Sequence, residues 1–578
     1  MNEKKLKIFA GLLLIALIIV FIICYFYENK KDTDSNYVQI DTKGTPLEVE
    51  YNSEELTGEW SNYIAKITLD DTKTIVEGKG VTNNGNAITI NSAGTYYITG
   101  SISDGNILIE ADKNDEVQLV LDNASITSNQ TAPINGITAD KLTITLSDNS
   151  TNTITDSSSY TTFTDTEKTE PDGAIFTKTD LVINGNGKLV VDANYSDGIV
   201  SKDGLKIINS NIEINSEDDG IRGKDYVAIN NANLNITSKG DGIKSTNTED
   251  AELGYIAIEE GTITINSEAD GIQAETILNI SSNAKINITT KGEITSSKGL
   301  KAGTEITING GDIVVTSTDD SVHSNGIIVI NDGTIKASSG DDGIHADTSI
   351  TINSGNIDVA KSYEGIESGY IEINGGTISV TTTDDGINIA GGNDSSSMNG
   401  RPGQNSFSSI SDTDKKLVIN NGNITVDASG DGLDSNGSIY IKGGTVLVAG
   451  PTNSGNGALD YDGECVITGG DIVIYGAAGM AQNPSSNSTQ NSLIFQNSGN
   501  SGDEVALKDS SGNTVSSFKT EKAYSMIIIS NTNIEKGKTY SLYVNGANIG
   551  SLEASNVVTS NSSAGGSGNG MKQNKRNF

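Results

Sequence analysis

The sequence has little proline, cysteine and aromatic side chain for its length. Its 578 residues include 6 Pro, 2 Cys and 1 Trp, and aromatic residues make up 5% of the chain. So few prolines exclude a Pro-rich linker protein, and two cysteines exclude a disulfide scaffold. The low aromatic content argues against several large globular cores.

Positive charge is also scarce. The chain carries 38 Lys and Arg against 75 Asp and Glu, a formal net charge of −37. Such a chain repels nucleic acid and anionic lipid as a whole, so no nucleic-acid partner is expected. It attracts divalent cations.

The apolar residues that are present are mostly Ile, Val and Leu, interleaved with Thr, Asn and Ser. This mixture is typical of β-strands. The composition therefore predicts an ordered all-β chain and excludes wholesale disorder.

One long apolar run stands near the N-terminus, at Ile8 to Tyr27. Twenty residues in a helix span about 30 Å, the thickness of a bilayer core. Lys4, Lys5 and Lys7 precede the run and favour a cytoplasmic N-terminus. No small residues mark a cleavage site, so we expect an uncleaved signal anchor and a cell-surface protein; a cleaved signal peptide is the alternative.

A short acidic motif recurs along the chain, in forms such as SDGI, DDGI, GDGI and YEGI. Its Gly, once replaced by Ser, occupies positions 198, 220, 242, 271, 299, 321, 343, 365, 386 and 432. Most spacings are 21 or 22 residues; the last, 46, includes a polar insertion from about Gly391 to Lys416. A near-constant spacing of this kind predicts stacked coils.

Each repeat contains three strand-like pieces around this motif. One is Ile-x-Ile-Asn, as in Ile306 to Asn309, and the next is Ile-x-Val, as in Ile313 to Val315. The acidic corner and a third short strand close the coil. Alternation with period two places Ile and Val inside. We predict a right-handed parallel β-helix, since a propeller needs longer repeats and the calcium-binding nonapeptide motif is absent.

These sequence patterns predict a division of the chain into segments. They are a cytoplasmic tail and anchor helix (1–30), a linker (31–57), an N-terminal β cap with the first coils (58–130), the β-helix (131–476), a second linker (477–491), a small C-terminal β module (492–545) and a disordered tail (546–578).

Five strings carry a resemblance to a known family. They are residues 94–128 (GTYYITGSISDGNILIEADKNDEVQLVLDNASITS), 196–207, 218–225, 240–256 and 431–463 (DGLDSNGSIYIKGGTVLVAGPTNSGNGALDYDG). From Trp60 to Asn545 the chain resembles the bacterial carbohydrate-binding β-helix family, long catalogued as a domain of unknown function. The resemblance implies a surface-held or secreted β-helix that carries calcium, is shaped like polysaccharide lyases and binds cellulose and acidic, galacturonate-type sugars.

The corner residue that precedes each motif Gly is acidic in almost every coil. Stacked carboxylates about 4.8 Å apart repel by about 3 to 4 kcal/mol at an effective dielectric constant of 20. Two devices could compensate: an Asp that accepts a backbone N–H in its own turn while Gly adopts a positive φ, or Ca²⁺ bound by carboxylates. The predicted calcium ligands are Asp218, Asp219, Asp241, Asp270, Asp319, Asp320, Asp341, Asp342, Asp384 and Asp385.

Two places after the motif Gly runs a second row, which we expect to face outwards. It reads Val200, Arg222, Lys244, Gln273, Lys301, His323, His345, Glu367 and Asn388. Its basic half, with Lys224 alongside, suits a polysaccharide that bears carboxylates; the alternative is that these cations only neutralise the corner acids. The predicted ligand-binding residues are Arg222, Lys224, Lys244, Gln273 and Lys301.

His323 and His345, the only histidines, lie 22 residues apart and should stack on adjacent coils. A metal pair or a plain polar ladder would both fit this spacing.

No nucleophile motif is present, so a binding protein is favoured over an enzyme. The enzyme alternative is a calcium-dependent polysaccharide lyase with Arg222, Lys244 or Lys301 as base. A structural surface spacer is the third alternative, and all three share one fold.

Overall fold

The computed structural model describes residues 44–292, 296–390, 392–393, 406–407 and 414–561. The predicted anchor Ile8–Tyr27 and most of the polar insertion lie outside these ranges. Within them, no helix is long and apolar enough to span a bilayer. The described residues belong to one compact unit.

The predicted fold is confirmed: the chain is nearly all β and forms a parallel β-solenoid of about 15 turns, with coils ~24 residues apart. Each coil has three strands, as in Ile221–Gly223, Tyr226–Asn230 and Ala232–Ser238. Equivalent strands pair in parallel, so that Arg222 lies beside Lys244 of the next coil. The 22-residue spacing of the motif therefore becomes a spatial register.

The strands form three ladders. The corner ladder is a separate 15-stranded sheet. Its strands are Val81–Asn84, Ala87–Ile90, Asn106–Glu110, Ile134–Thr138, Gly173–Thr177, Asp197–Ser201, Ile221–Gly223, Ile243–Ser245, Ile272–Ala274, Leu300–Ala302, Val322–Ser324, Ile344–Ala346, Ile366–Ser368, Ile387–Ile389 and Leu433–Ser435.

The other two ladders belong to one 31-stranded sheet, because four long strands run through both. These are Gly94–Ile102, Glu116–Thr127, Tyr255–Ser267 and Ile277–Thr290. The first ladder adds Ala65–Leu69, Lys141–Leu146, Asp180–Asn184, Gly204–Ile208, Tyr226–Asn230, Glu305–Ile308, Ile327–Ile330, Ser349–Ile352, Tyr370–Ile373, Lys416–Ile419, Ser438–Ile441 and Cys465–Ile467. The second ladder adds Thr151–Thr155, Lys188–Ala193, Asn211–Ser216, Ala232–Ser238, Asp312–Thr316, Thr334–Ser338, Asn356–Ser362, Thr377–Thr382, Asn423–Ala428, Thr445–Ala449 and Asp471–Gly476.

A single apolar core runs through the coils, because strands such as Ala232–Ser238 alternate buried and outward side chains. In one coil Ile221, Val227, Ile229, Leu234 and Ile236 are all at most 1% exposed. The buried set is continuous from Ala65 in the first coil to Ile474 in the last. Short strands that could not bury a face alone thus share one core.

The N-terminal end is closed by strand Ile75–Gly78, antiparallel to Ala65–Leu69, and by the hairpin of Val81–Asn84 and Ala87–Ile90. Before it, residues 44–58, here called the N-terminal strap, lie across the outside of the first ladder. The strap contains the one helix of the described residues, Ser53–Thr57, capped by Asn52. The sequence predicted only a linker here.

The strap is fixed by polar contacts to several coils. The Thr45 N–H and hydroxyl donate to the Glu305 carboxylate at 2.6 Å each. Glu55, the buried residue of the helix, pairs with Lys206 at 3.0 Å and with Lys141 at 3.5 Å. The strap therefore joins coils that are far apart in the sequence.

The C-terminal module closes the other end. Strand Met526–Asn531 pairs antiparallel with Asp471–Gly476 of the last coil. On its other side, Met526–Asn531 pairs antiparallel with Ser492–Phe495. A four-stranded sheet of Glu504–Asp509, Thr514–Lys519, Thr539–Val544 and Ala547–Glu553 covers these strands around a second core. The ordered module extends past the predicted boundary at 545, since Ala547–Glu553 and Val558–Ser560 are strands. A short pair, Gly392–Asn393 with Ser406–Phe407, lies in the polar insertion.

Candidate functional site

The acidic corner residues form a continuous row at the edge of the corner ladder. Asp197, Asp219, Asp241 and Asp270 occupy it on successive coils, and each is at most 6% exposed. One oxygen of each carboxylate accepts the backbone N–H of the corner residue on the next coil. Asp219 Oδ1 accepts from Asp241 N at 2.8 Å, and Asp241 Oδ1 from Asp270 N at 2.8 Å.

This contact corrects the expectation of an N–H within the same turn. Lys298 N and Asp342 N donate in the same way, to Asp270 at 2.7 Å and to Asp320 at 2.9 Å. The carboxylate side chain reaches along the solenoid axis to the backbone of the next coil. The corner acids thus hold neighbouring coils in register.

The expected positive φ of the corner glycines is wrong as well. Gly220 and Gly242 lie outside the left-handed region. A Cβ built on Gly242 would lie 2.4 Å from Cγ2 of Ile265 and 2.5 Å from the carbonyl oxygen of Gly271. Glycine is required here because two coils approach each other too closely for any side chain.

The second carboxylate oxygen faces the basic row. Arg222 Nε donates to Asp197 at 2.6 Å and its Nη2 to Asp172 at 2.7 Å. Lys244 pairs with Asp241 at 2.7 Å, and Lys301 with Asp270 at 2.8 Å. These contacts are the ones expected if the cations neutralise the corner.

The basic row still reaches solvent. The side chains of Arg222, Lys244 and Lys301 are 19%, 27% and 30% exposed. Gln273 lies between Lys244 and Lys301, and its amide nitrogen is placed to donate to Asp241 and Asp270. Lys224 lies apart from the corner and pairs with Glu249 at 3.2 Å.

Lys298 replaces the acid at one corner and is itself 7% exposed. Its ammonium contacts Asp320 at 2.5 Å and Asp319 at 3.2 Å. Burial alone would raise the pKa of Asp320, but Lys298 and His323 hold it well below its ordinary value. This buried lysine compensates the middle of the row.

The histidines stack as predicted, with ring centroids 5.0 Å apart. His323 Nδ1 lies 2.8 Å from Asp320. His345 is 1% exposed, and its Nδ1 lies 3.0 Å from Asp342 and 3.1 Å from Glu367. The two rings therefore have different surroundings.

The predicted calcium ligands separate into groups. Asp218 and Asp219 cluster with Asp197, whereas Asp319, Asp320 and Asp341 form a second cluster. Asp342 gathers with His345 and Glu367, and Asp385 with Asp431 and Asp434. Asp241 and Asp270 pair with the basic row, and Asp384 belongs to no cluster among the described residues.

Of the cluster of Asp385, Asp431 and Asp434, the sequence predicted only Asp385 as a metal ligand. Asp434 stands two places after Gly432, so continuing the second row by one coil would have found it. Burial, with Asp384 and Asp431 nearby, raises the pKa of Asp385 to about 8. Burial, with Asp431 and Asp460, raises the pKa of Asp434 to about 7. Negative charge is therefore poorly compensated at the C-terminal end of the corner row.

Residues 84–343 match the model of a family described as carbohydrate-binding domain-containing protein. A protein of Acetivibrio thermocellus with the same description is 35% identical over 153 residues, 26% of this chain and 53% of that protein. The match therefore spans about half the length of that relative.

One solved structure, a polysaccharide lyase-like protein from C. thermocellum in a gadolinium derivative, is 32% identical and superimposes with a TM-score of 0.40. That match covers 46% of this chain and 96% of that chain. The resemblance to the carbohydrate-binding family is confirmed over residues 84–343.

Proposed function

We propose that residues 84–343, the segment that matches the carbohydrate-binding family, bind polysaccharides that contain acidic sugars. The proposed binding surface is the outward face of the corner ladder. The observation that carries the proposal is that the matched segment includes the entire basic row from Arg222 to Lys301. These side chains lie on successive coils in one strand register. A polymer of repeating sugars can place carboxylates at intervals along such a ladder.

The basic row can bind a carboxylate without losing its present partners. Lys244 and Lys301 each carry three N–H donors, of which the corner acids use only some. Partial exposure leaves the remaining donors to solvent. Each new contact is a surface ion pair of about 1 kcal/mol or less, so affinity would arise from many contacts along the polymer.

Calcium is the second part of the proposal. The carboxylates of Asp385, Asp431 and Asp434 lie within 4.8 Å of one another. Their raised pKa values report repulsion and burial that a divalent cation with oxygen ligands would relieve. We assign Ca²⁺ first to this cluster and second to Asp197, Asp218 and Asp219.

Cellulose is a further proposed ligand, because the sequence resembles a family that binds it. Binding of this neutral polymer would depend little on the basic row.

The geometry does not favour the lyase alternative. Burial opposes the charge on Lys244, but Asp241 and Asp219 outweigh it and raise its pKa above the ordinary value. A general base must lose its proton near neutral pH, so Lys244 is poorly suited to abstract one.

The test measures binding of polygalacturonate and cellulose to the full chain, with and without Ca²⁺. The variant Arg222→Gln/Lys244→Gln/Lys301→Gln should weaken polygalacturonate binding and flatten its salt dependence, with little change for cellulose. The matched control Lys73→Gln/Lys113→Gln/Lys336→Gln removes three exposed charges elsewhere. Equal affinity of both variants would move the site to another face.

Ultraviolet absorbance of unsaturated uronide is recorded in the same samples. Product formed by the wild type and lost in the first variant would replace the binding function with a lyase.

Location at the cell surface is also proposed, from the apolar run Ile8–Tyr27. Mass spectrometry of the membrane fraction should recover peptides that precede Ile8. A mature N-terminus after about Tyr27 would show cleavage instead.

A further inference from the structure

We infer that His345, Asp342 and Glu367 form a binding site for a divalent transition-metal ion such as Zn²⁺, separate from the calcium clusters and independent of the proposed sugar binding. The Nδ1 of His345 and one oxygen of each carboxylate lie within 4.8 Å of one another. All three side chains are buried, at 1%, 3% and 5% exposure.

The orientation of the imidazole is that of a metal ligand. Its Nδ1 faces two carboxylates, while Nε2 lies 3.3 Å from Asp347 Oδ1. A neutral imidazole that donates from Nε2 to Asp347 has a lone pair on Nδ1, which would face negative oxygens. Either a proton on Nδ1 or a metal ion between Nδ1 and the two carboxylates removes this conflict. With a metal ion bound, Asp347 fixes the tautomer of the ligating ring.

The spacing of the ligands fits a small ion. Tetrahedral Zn²⁺ with bonds of about 2.0 to 2.1 Å places neighbouring ligand atoms about 3.3 Å apart. The observed separations from His345 Nδ1 are 3.0 Å to Asp342 and 3.1 Å to Glu367. An imidazole nitrogen with carboxylates selects Zn²⁺ over Ca²⁺, which prefers oxygen ligands only.

A second observation points to the same place from the next coil. Asn388 pairs in register with Glu367, is 5% exposed, and donates through Nδ2 to Glu364 at 2.8 Å. Its carbonyl oxygen Oδ1 is buried without a hydrogen-bond partner. Such an oxygen is costly unless it is satisfied, and it would complete the coordination directly or through a water.

The stacked neighbour His323 provides the contrast. The carboxylate partner of His323, Asp320, is already held by the Lys298 ammonium at 2.5 Å. Nε2 of His323 lies 2.9 Å from Asn325 Oδ1. In the described part of the chain, Asp342 and Asp347 contact no Lys or Arg. The corner acid of one coil is thus held by a lysine, whereas Asp342 of the next coil faces His345.

The experiment uses the full chain in excess Ca²⁺, which fills the oxygen-only sites. Co²⁺ serves as the spectroscopic probe and Zn²⁺ as the competitor. We expect one equivalent of Co²⁺ with visible ligand-field absorption, displaced by Zn²⁺ and retained in His323→Gln. His345→Gln should abolish it, and Glu367→Gln should weaken it at least about 10-fold.

Failure of the wild type to bind Co²⁺ or Zn²⁺ over excess Ca²⁺ would overturn the site, and so would equal binding by His345→Gln. If His345→Gln does not fold, ¹⁵N-histidine spectra of the wild type decide. A Zn²⁺-induced shift at Nδ1 of one histidine, absent in Glu367→Gln, supports the site. Unchanged ring signals mean that His345 carries a proton and no metal.

Discussion

Oδ1 of Asp241 accepts the backbone N–H of Asp270 at 2.8 Å, so the acidic corner of one coil holds the main chain of the next. Oδ2 of the same carboxylate pairs with Lys244. One side chain therefore satisfies a buried backbone donor and anchors the basic row. The same carboxylates fix the coil register and set the charge of the outward face.

Replacing Asp241 by Ala should cost about 2 to 3 kcal/mol of unfolding free energy. The change leaves the buried N–H of Asp270 without an acceptor and removes the nearest partner of Lys244. Denaturant unfolding of the full chain measures the loss. Asp312→Ala, at an exposed strand position, is the control and should change stability by about 0.5 kcal/mol or less. Equal stabilities of the two variants would contradict the structural role of the corner contact.

Gly242→Ala should destabilise the solenoid by about 1 to 3 kcal/mol, because the new methyl group would overlap the next coil. Gly550→Ala is a matched control, since a Cβ there meets no atom within 4 Å. Thermal melting of both variants separates close packing from a general effect of losing glycine. A neutral Gly242→Ala would show that the coils can move apart freely.

Removal of calcium should lower the melting temperature of the full chain. A ligand bound only to the native state adds about 2.7 kcal/mol at a hundredfold excess over Kd. Asp431→Asn/Asp434→Asn should reduce the response to chelator, whereas Lys113→Gln should retain it. An unchanged melting curve in chelator, with no calcium detected by elemental analysis, would refute the calcium assignment.

In chelator, the free energy of unfolding should fall as the pH rises from about 4 to about 8. Burial raises the pKa of Asp197 to about 7 against the pull of Arg222, and the pKa of Asp385 to about 8. In this window the native state binds more protons than the unfolded chain, so stability decreases with increasing pH. Denaturation midpoints at several pH values give the slope, which should shrink when Ca²⁺ is restored. A stability that rises with pH in chelator would contradict the raised pKa values.

Much of the fold could be predicted from the sequence, because one motif repeats at a constant spacing and its strands alternate with period two. Ile221 and Ile243 are 22 residues apart in the sequence and are partners in the ladder. The stacking of His323 on His345 follows from the same arithmetic. Repetition makes long-range neighbours visible in a single sequence.

The contacts at the corner were harder to predict. The carboxylate of Asp219 could accept an N–H from its own turn or from the next coil, and residue type does not distinguish the two. The glycine requirement was ascribed to φ, although it arises from the carbonyl of Gly271 approaching Gly242. Spacing gives which residues are neighbours but not how closely their backbones approach.

The irregular parts of the chain were the least predictable. The long spacing after Gly386 ended the count of the second row before Asp434. The N-terminal strap has no repeat at all, and its partners, such as Glu305 for Thr45, lie 260 residues away. Polar contacts of this kind leave no periodic signal.

The N-terminal strap also determines how a mechanical load would enter the protein. Tension applied to the chain before residue 44 would act first on the two hydrogen bonds between Thr45 and Glu305. It would act next on the contacts that Lys206 makes with the Glu50 carbonyl and the Glu55 carboxylate. These bonds attach to coils well inside the solenoid, so the force would bypass the hairpin at the first coil. The strap would detach before any coil is pulled from the stack, and the apolar core would stay intact as the tether lengthens.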